Sequence, residues 1–323
     1  MANISIASHC NRACSYCFAM ETLDGMAAQT SFMSMETYVR TLDFLERSGI
    51  DEVRLLGGEP TLHPQFGELI DVALQRKFRI LVFSGGLIRE SALAKLEQIN
   101  KDQLTLLLNV IPPELNRPAG AGQEETLWRL GNRVILGLNI DSPGVELDFL
   151  LEMIGRYGLA PIVRLGIAHP ILGGTNRYLH PRHYPEVGRR VAAFGLQAAG
   201  AGVRINFDCG WVPCMFPEGA LEALAISPDE VGLRCNPILD ILPDGNVISC
   251  YPLVNHSVIP LPDEHDSLWL RSEFSGKQSG DRAFMLYKEC EACAWRARGE
   301  CTGGCLAGSM RRLRRSEFLV SIT

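Results

Sequence analysis

Eleven cysteines, and where they stand, constrain this chain more than any other feature. Three fall within the first 17 residues, eight lie between Cys209 and Cys305, and residues 18–208 hold none. The N-terminus, Met1-Ala2-Asn3-Ile4-Ser5-Ile6, lacks the basic start and apolar core of a signal peptide. No apolar run approaches the length that crosses a bilayer. The expected location is therefore the cytoplasm, away from membranes. Thiols stay reduced there and an odd number suits pairing badly, so metal ligation is the better use for them.

Between the two thiol groups, β-branched and leucine-rich runs alternate with helical patterns. Strands are expected at residues 3–8, 52–56, 79–84, 104–110, 134–140, 162–168 and 203–207, with helices at 35–48, 65–75, 91–97, 145–157 and 183–199. Residues 111–130 are rich in Pro and Gly and read as a long loop with a short helix. Such alternation implies a parallel sheet with helical crossovers, and this many units favour an α/β fold of partial (β/α) TIM-barrel type. Its reactive face is at the C-terminal ends of the strands. After Phe207 the chain turns rich in Pro, Gly and Cys. Residues 237–242 and 247–249, joined through Pro243-Asp244-Gly245-Asn246, read as a hairpin. The division expected is a barrel over residues 1–208 and a loop-rich, Cys-rich domain over 209–323, held together by metal ligation.

Net charge is −6. A nucleic-acid binder usually carries a basic field, so nucleic acid is not an expected partner. The one basic cluster, Arg311, Arg312, Arg314 and Arg315, reads as a solvated helix face.

Directly after the first strand comes Cys10-Asn11-Arg12-Ala13-Cys14-Ser15-Tyr16-Cys17. Three closely spaced thiolates on one loop can hold three irons of a cubane and leave the fourth open to a ligand. Structural zinc normally needs a second Cys pair to close its tetrahedron, and none is near. The second strand ends in Gly57-Gly58-Glu59-Pro60. Together these two motifs closely resemble the radical S-adenosylmethionine (SAM) superfamily. The resemblance implies a SAM-cleaving 4Fe–4S cluster on Cys10, Cys14 and Cys17, with SAM chelating the open iron. It implies that Gly57 and Gly58 let the backbone approach the methionine, that Glu59 accepts from its ammonium and that Tyr16 packs by the adenine. Ser84, Asn109 and Arg164, closing later strands, are further candidate SAM contacts, Arg164 for the carboxylate.

The later cysteines resemble the SPASM extension of radical enzymes, which holds auxiliary 4Fe–4S clusters. Cys235 is followed by nine residues, Gly245, four residues and Cys250; then come Cys290-Glu-Ala-Cys293 and Cys301-Thr-Gly-Gly-Cys305. The gap after Cys293 is longer than usual, and no cysteine follows Cys305. Two clusters are expected, one on Cys214, Cys235, Cys250 and Cys305, the other on Cys290, Cys293, Cys301 and Cys209. A single twitch-type cluster on Cys235, Cys250, Cys290 and Cys293 is the alternative, and a zinc ribbon a third.

Tyr251, which follows Cys250 where sulfatase-maturing relatives have an Asp base, and Asp208 are the candidate catalytic acid/base residues. The seven histidines are scattered and read as loop residues. SPASM resemblance implies a peptide or protein substrate. With the first strand so near the N-terminus, a separate leader-binding protein is expected to recognise it. A low-potential donor such as flavodoxin or ferredoxin is the other expected partner. Oxidation or rearrangement of a sugar, nucleoside or aminoglycoside is the alternative.

Overall fold

Alternating strand and helix patterns build one parallel sheet. The computed structural model describes residues 1–112, 120–224, 234–235 and 238–314. Strands β1 (Ala2–Ala7), β2 (Glu52–Gly57), β3 (Arg79–Ser84), β4 (Leu104–Asn109), β5 (Val134–Ile140), β6 (Ile162–Ile167) and β7 (Arg204–Phe207) lie parallel and in chain order. Leu106, Leu107 and Leu108 are buried in succession, as a strand covered on both faces requires. Each such side chain contributes about 1.5–3 kcal/mol on burial. Helix Met35–Arg47 covers the start of the sheet, and Ser34 caps it, its Oγ accepting from the Thr37 N–H at 3.1 Å.

Three further strands, β8 (Leu239–Ile241), β9 (Asn246–Ile248) and β10 (Val258–Pro260), extend this sheet beyond β1. β8 runs parallel to β1, with Asn3 opposite Asp240, and β9 returns antiparallel. Among the described residues β7 pairs only with β6, so the barrel is partial and open. The expected hairpin is present. Its turn closes through the Gly245 N–H donating to the Leu242 carbonyl at 2.9 Å, whereas Pro237 lies outside the described residues.

Some elements escaped the sequence pattern. Helices Met20–Ala27 and Ser267–Gln278 lie where no periodicity stood out, the second capped by Asp266. Helix Gly120–Leu130 fills more of the Pro- and Gly-rich stretch than expected, while residues 113–119 lie outside the described residues. The basic cluster is a correction. Arg311 and Arg312 are buried, Arg311 donating to the carbonyls of Gly174 (2.8 Å) and Ile171 (3.2 Å), Arg312 to that of Leu286. The Arg314 side chain and Arg315 lie outside the described residues. The Arg311 and Arg312 guanidinium groups close the ends of loops rather than facing water.

Asp240 ties the C-terminal strands to the barrel. Asn3 Nδ2 donates to its Oδ1 at 2.8 Å. Burial pushes its carboxyl up to about 7, against hydrogen bonds from Asn3 and the Tyr251 N–H. The folded value lies above the unfolded one, so the folded chain keeps a proton that the unfolded chain has released. The stability this group contributes is therefore full below about pH 4 and is lost as pH rises towards about 7. Asp240→Asn should flatten that slope, its unfolding midpoint falling less than wild type's between pH 5 and pH 8, by a few degrees. Identical slopes would contradict the assignment.

Candidate active site

Parallel strands present all their C-terminal ends on one side, and β1 ends there at Ala7. Its register with β2 slips between Ser5 and Ala7 just before the cysteine loop leaves. The loop is pinned from several strand ends. Gly58 N–H donates to the Ala7 carbonyl at 2.8 Å and Glu59 N–H to that of His9 at 2.7 Å. Asn11 and Arg12 donate to the carbonyls of Leu87 and Gly85, each at 2.7 Å, and Arg177 N–H reaches the Ser15 carbonyl at 2.9 Å. A Cβ at Gly57 would stand 2.2 Å from the Ala7 oxygen, and one at Gly58 2.1 Å from the His9 oxygen. The two glycines are thus required by the loop's own backbone, a need distinct from the approach to methionine expected of them.

Glu59 differs from expectation more sharply. Its carboxylate is buried and turned onto protein groups: Oε1 accepts from Thr61 Oγ1 at 2.7 Å, and Oε2 from Ser84 Oγ and the Gly85 N–H, both at 2.9 Å. Burial pushes its carboxyl up, and these hydrogen bonds oppose the shift. Ser84 is buried too, its Oγ also accepting from the Gly86 N–H at 2.9 Å. Both side chains therefore lock the ends of β2 and β3 together.

Tyr16 bends from the loop towards β5, its hydroxyl engaged with Asn139 and with the Cys14 thiol. Burial, then the neighbouring Cys14, raises its phenol. Asn109, half-buried at the end of β4, accepts from Asn139 at a loose 3.5 Å. Arg164 and Asp208, expected in separate roles, are ion-paired to each other across β6 and β7. Burial draws the guanidinium down to about 10, so it stays charged at neutral pH. It also lies 5.8 Å above the Phe83 ring. Asp208 is held in this pair.

Tyr251 stands apart by its burial. It is fully buried, its hydroxyl 2.5 Å from Ser5 Oγ and its ring 5.9 Å from Phe18. Burial raises its phenol, and the adjacent Asp240 carboxylate adds to the shift. A group so enclosed packs β1 against the Cys250 turn.

The donor sets fit iron–sulfur ligation. Cys10 lies at the solvent edge of its loop, yet crowding by protein pushes its thiol up to about 11; the Arg12 N–H opposes this from 3.4 Å. Cys17 takes backbone N–H groups of Ala19 and Met20 at the start of helix Met20–Ala27. Such N–H···S bonds are a main means of tuning cluster potential. Among the later thiols, Cys250 is surrounded by Cys235, Cys305 and Cys209, whereas Cys214 feels Cys290, Cys301 and Cys293. The start of helix Leu306–Arg314 points the Leu306 N–H at Cys235 and those of Ala307 and Gly308 at Cys305, and the Gly303 N–H points at Cys301 at 3.3 Å. Among the described residues no three His, Cys, Asp or Glu converge closely enough for one metal ion. A zinc ribbon, which draws its sulfurs to within about 4 Å of one another, is not the arrangement found there.

Of the histidines, His63 is buried and bonded to the Met33 carbonyl at 2.9 Å, and His169 to that of Cys209 at 3.1 Å. Residues that sequence reasoning missed are Asn3, Ser5, Asn139 and Asp240. Asn139 at the end of β5 was findable from its strand-end position alone.

The chain is 32% identical over 99 residues to the S-adenosylmethionine-dependent nucleotide dehydratase of Thermoplasmatales archaeon (strain ISO4-H5), 30% of this chain and 34% of that protein. It is 32% identical over 114 residues to the GTP 3′,8-cyclase of Synechocystis sp. (strain ATCC 27184 / PCC 6803 / Kazusa), 35% of this chain and 33% of that one. These matches therefore span about a third of each relative's length. In structure, it resembles Streptococcus suis SuiB bound to precursor peptide SuiA, with a TM-score of 0.71 at 17% identity over 99% of this chain and 75% of that one. Native anSMEcpe with bound AdoMet gives 0.68 at 16% identity, over 100% and 93%. Both likenesses establish the fold, and they run through the Cys-rich end. Residues 4–167, which run from β1 and its three-cysteine loop to the end of β6, match the Radical SAM superfamily. With about half of its length so matched, this chain belongs to that superfamily of enzymes.

Proposed function

We propose that this radical SAM enzyme modifies a peptide or protein segment, using a SAM-cleaving 4Fe–4S cluster on Cys10, Cys14 and Cys17 and two auxiliary 4Fe–4S clusters of SPASM type. What supports the reading is that Cys290, Cys301 and Cys293 lie near Cys214, and Cys235, Cys305 and Cys209 near Cys250. Whole-length likeness to a fold solved with a precursor peptide bound supports the choice of substrate class. When bound, SAM and the reduced cluster supply a 5′-deoxyadenosyl radical that takes a hydrogen atom from the substrate.

The chain's own residues bind and orient. Tyr16, steadied by Asn139 and Asn109, walls the adenosine side. Arg164, steadied by Asp208, would hold the methionine carboxylate through its guanidinium. Gly57 and Gly58 seat the cysteine loop, and Glu59 with Ser84 fixes the strand ends beneath it. Residues 1–208 form the SAM-cleaving barrel, and 209–323 the auxiliary-cluster domain. A separate recognition protein for the peptide and a low-potential donor such as flavodoxin or ferredoxin complete the reading. Among the described residues no helix is long and apolar enough to cross a membrane.

A second reading, a nucleotide or nucleoside substrate, is favoured by the named activities of the sequence relatives. Deuterium at one substrate carbon separates the two. On the peptide reading, label enters 5′-deoxyadenosine only when peptide and recognition protein are both present. Efficient transfer from a free nucleotide, with no partner, would replace it by the second reading.

A further inference from the structure

We propose that Cys214 is the fourth ligand of the auxiliary cluster on Cys290, Cys293 and Cys301, and that Cys209 completes the one on Cys235, Cys250 and Cys305. The inference rests on the two-cluster reading above and fixes which thiol belongs to which.

Two separate packing groups carry it. Val212 and Met215, on either side of Cys214, belong to the main buried core of the fold, which Leu286, Tyr287 and Cys301 also join and against which Cys290 and Trp295 pack. Cys235, Cys250 and Cys305 pack instead against Leu172, Leu253, Leu306, Ala307 and Met310. The short stretch between Cys209 and Cys214 makes the separation possible. Gly210 turns it at φ +95°, where a Cβ would strike the His169 ring at 2.1 Å. Trp211 then anchors it, its indole N–H donating to the Leu165 carbonyl at 3.2 Å and its ring stacking on Phe216 at 5.8 Å. Beyond this anchor, the 3-10 turn Pro213–Met215 carries Cys214 to the other set. Neighbouring thiols divide the same way: Cys290, Cys301 and Cys293 crowd Cys214, whereas Cys209 is among those that crowd Cys250.

Ligation here is proton-coupled and redox-neutral. Each thiol gives its proton to solvent as its sulfur donates an electron pair to iron. With four cysteines apiece, neither auxiliary cluster keeps an open iron, so both serve as electron carriers and not as substrate-binding sites.

The test uses the full-length chain in the Cys10/Cys14/Cys17→Ala background, reconstituted anaerobically, so that only auxiliary clusters contribute iron. About 8 iron atoms per chain are expected, giving two reduced electron paramagnetic resonance signals. Cys290→Ala with Cys293→Ala should remove one signal and about 4 iron atoms. Cys214→Ser should perturb that same signal and leave the other untouched; Cys209→Ser should do the reverse. Serine keeps the side chain's size and can still ligate weakly, and circular dichroism verifies folding. If Cys209→Ser perturbs the Cys290/Cys293 signal and Cys214→Ser does not, the ligand assignment is wrong while the two-cluster reading stands. Iron near about 4, or none, in the background protein overturns the two-cluster reading and this assignment with it.

Discussion

Alanine at Cys10, Cys14 and Cys17 together is expected to abolish SAM cleavage, lowering 5′-deoxyadenosine formation by about 10³-fold or more. The three thiols sit on one loop at the end of β1, and the single neighbouring imidazole, His9, cannot replace three iron ligands. Removing all three leaves the cluster nothing to bind, so iron should fall by about 4 per chain. The rest of the fold should persist, because the loop's anchors are backbone groups and the side chains of Asn11 and Arg12. Far-ultraviolet circular dichroism and the auxiliary-cluster signals should therefore match wild type. Undiminished 5′-deoxyadenosine from this variant, reduced with dithionite, would sink the assignment of the loop.

Local patterns made the seven parallel strands and the β8–β9 hairpin legible in the sequence, because burial on both faces and an Asp-Gly turn each leave a mark within a few residues. Cys10, Cys14, Cys17 and the Gly57-Gly58 pair were legible for the same reason. What could not be read was the partner of each polar group. Glu59 meets Ser84, Arg164 meets Asp208, and Tyr251 meets Ser5 across 246 positions. Each looked like a free strand-end or loop residue until the fold supplied its neighbour. Arg311 misled in the opposite sense, since a run of arginines looks solvated until carbonyls from distant loops are brought to it. Spacing alone does not tell which way the turn between Cys209 and Cys214 faces. The left-handed Gly210 and the anchored Trp211 decide that, and only in three dimensions.

Gly58→Ala is expected to damage the cluster loop without removing a cysteine. The new Cβ would lie 2.1 Å from the His9 oxygen, 2.4 Å from the His9 carbonyl carbon and 2.8 Å from the Cys10 nitrogen. All three are backbone atoms, so no side-chain rotation relieves the contact; either β2 or the cysteine loop must move. β2 is the less free of the two, being paired on both sides by β1 and β3 and fastened at its end through Glu59. Displacement therefore falls on His9 and Cys10, and the Glu59 N–H to His9 carbonyl bond is lost with it. Overpacking of this kind costs about 1–3 kcal/mol in stability. The functional loss should be larger, because a shift of about 1 Å in a reacting group can cost about 10²-fold in rate. Iron in the purified, reconstituted variant should drop by as much as about 4 per chain, with SAM cleavage down by about 10²-fold or more. Gly144→Ala, where a Cβ meets nothing within 4 Å, is the matched control and should leave both unchanged. A Gly58→Ala protein with wild-type iron and wild-type SAM cleavage would mean that this contact does not set the position of the loop.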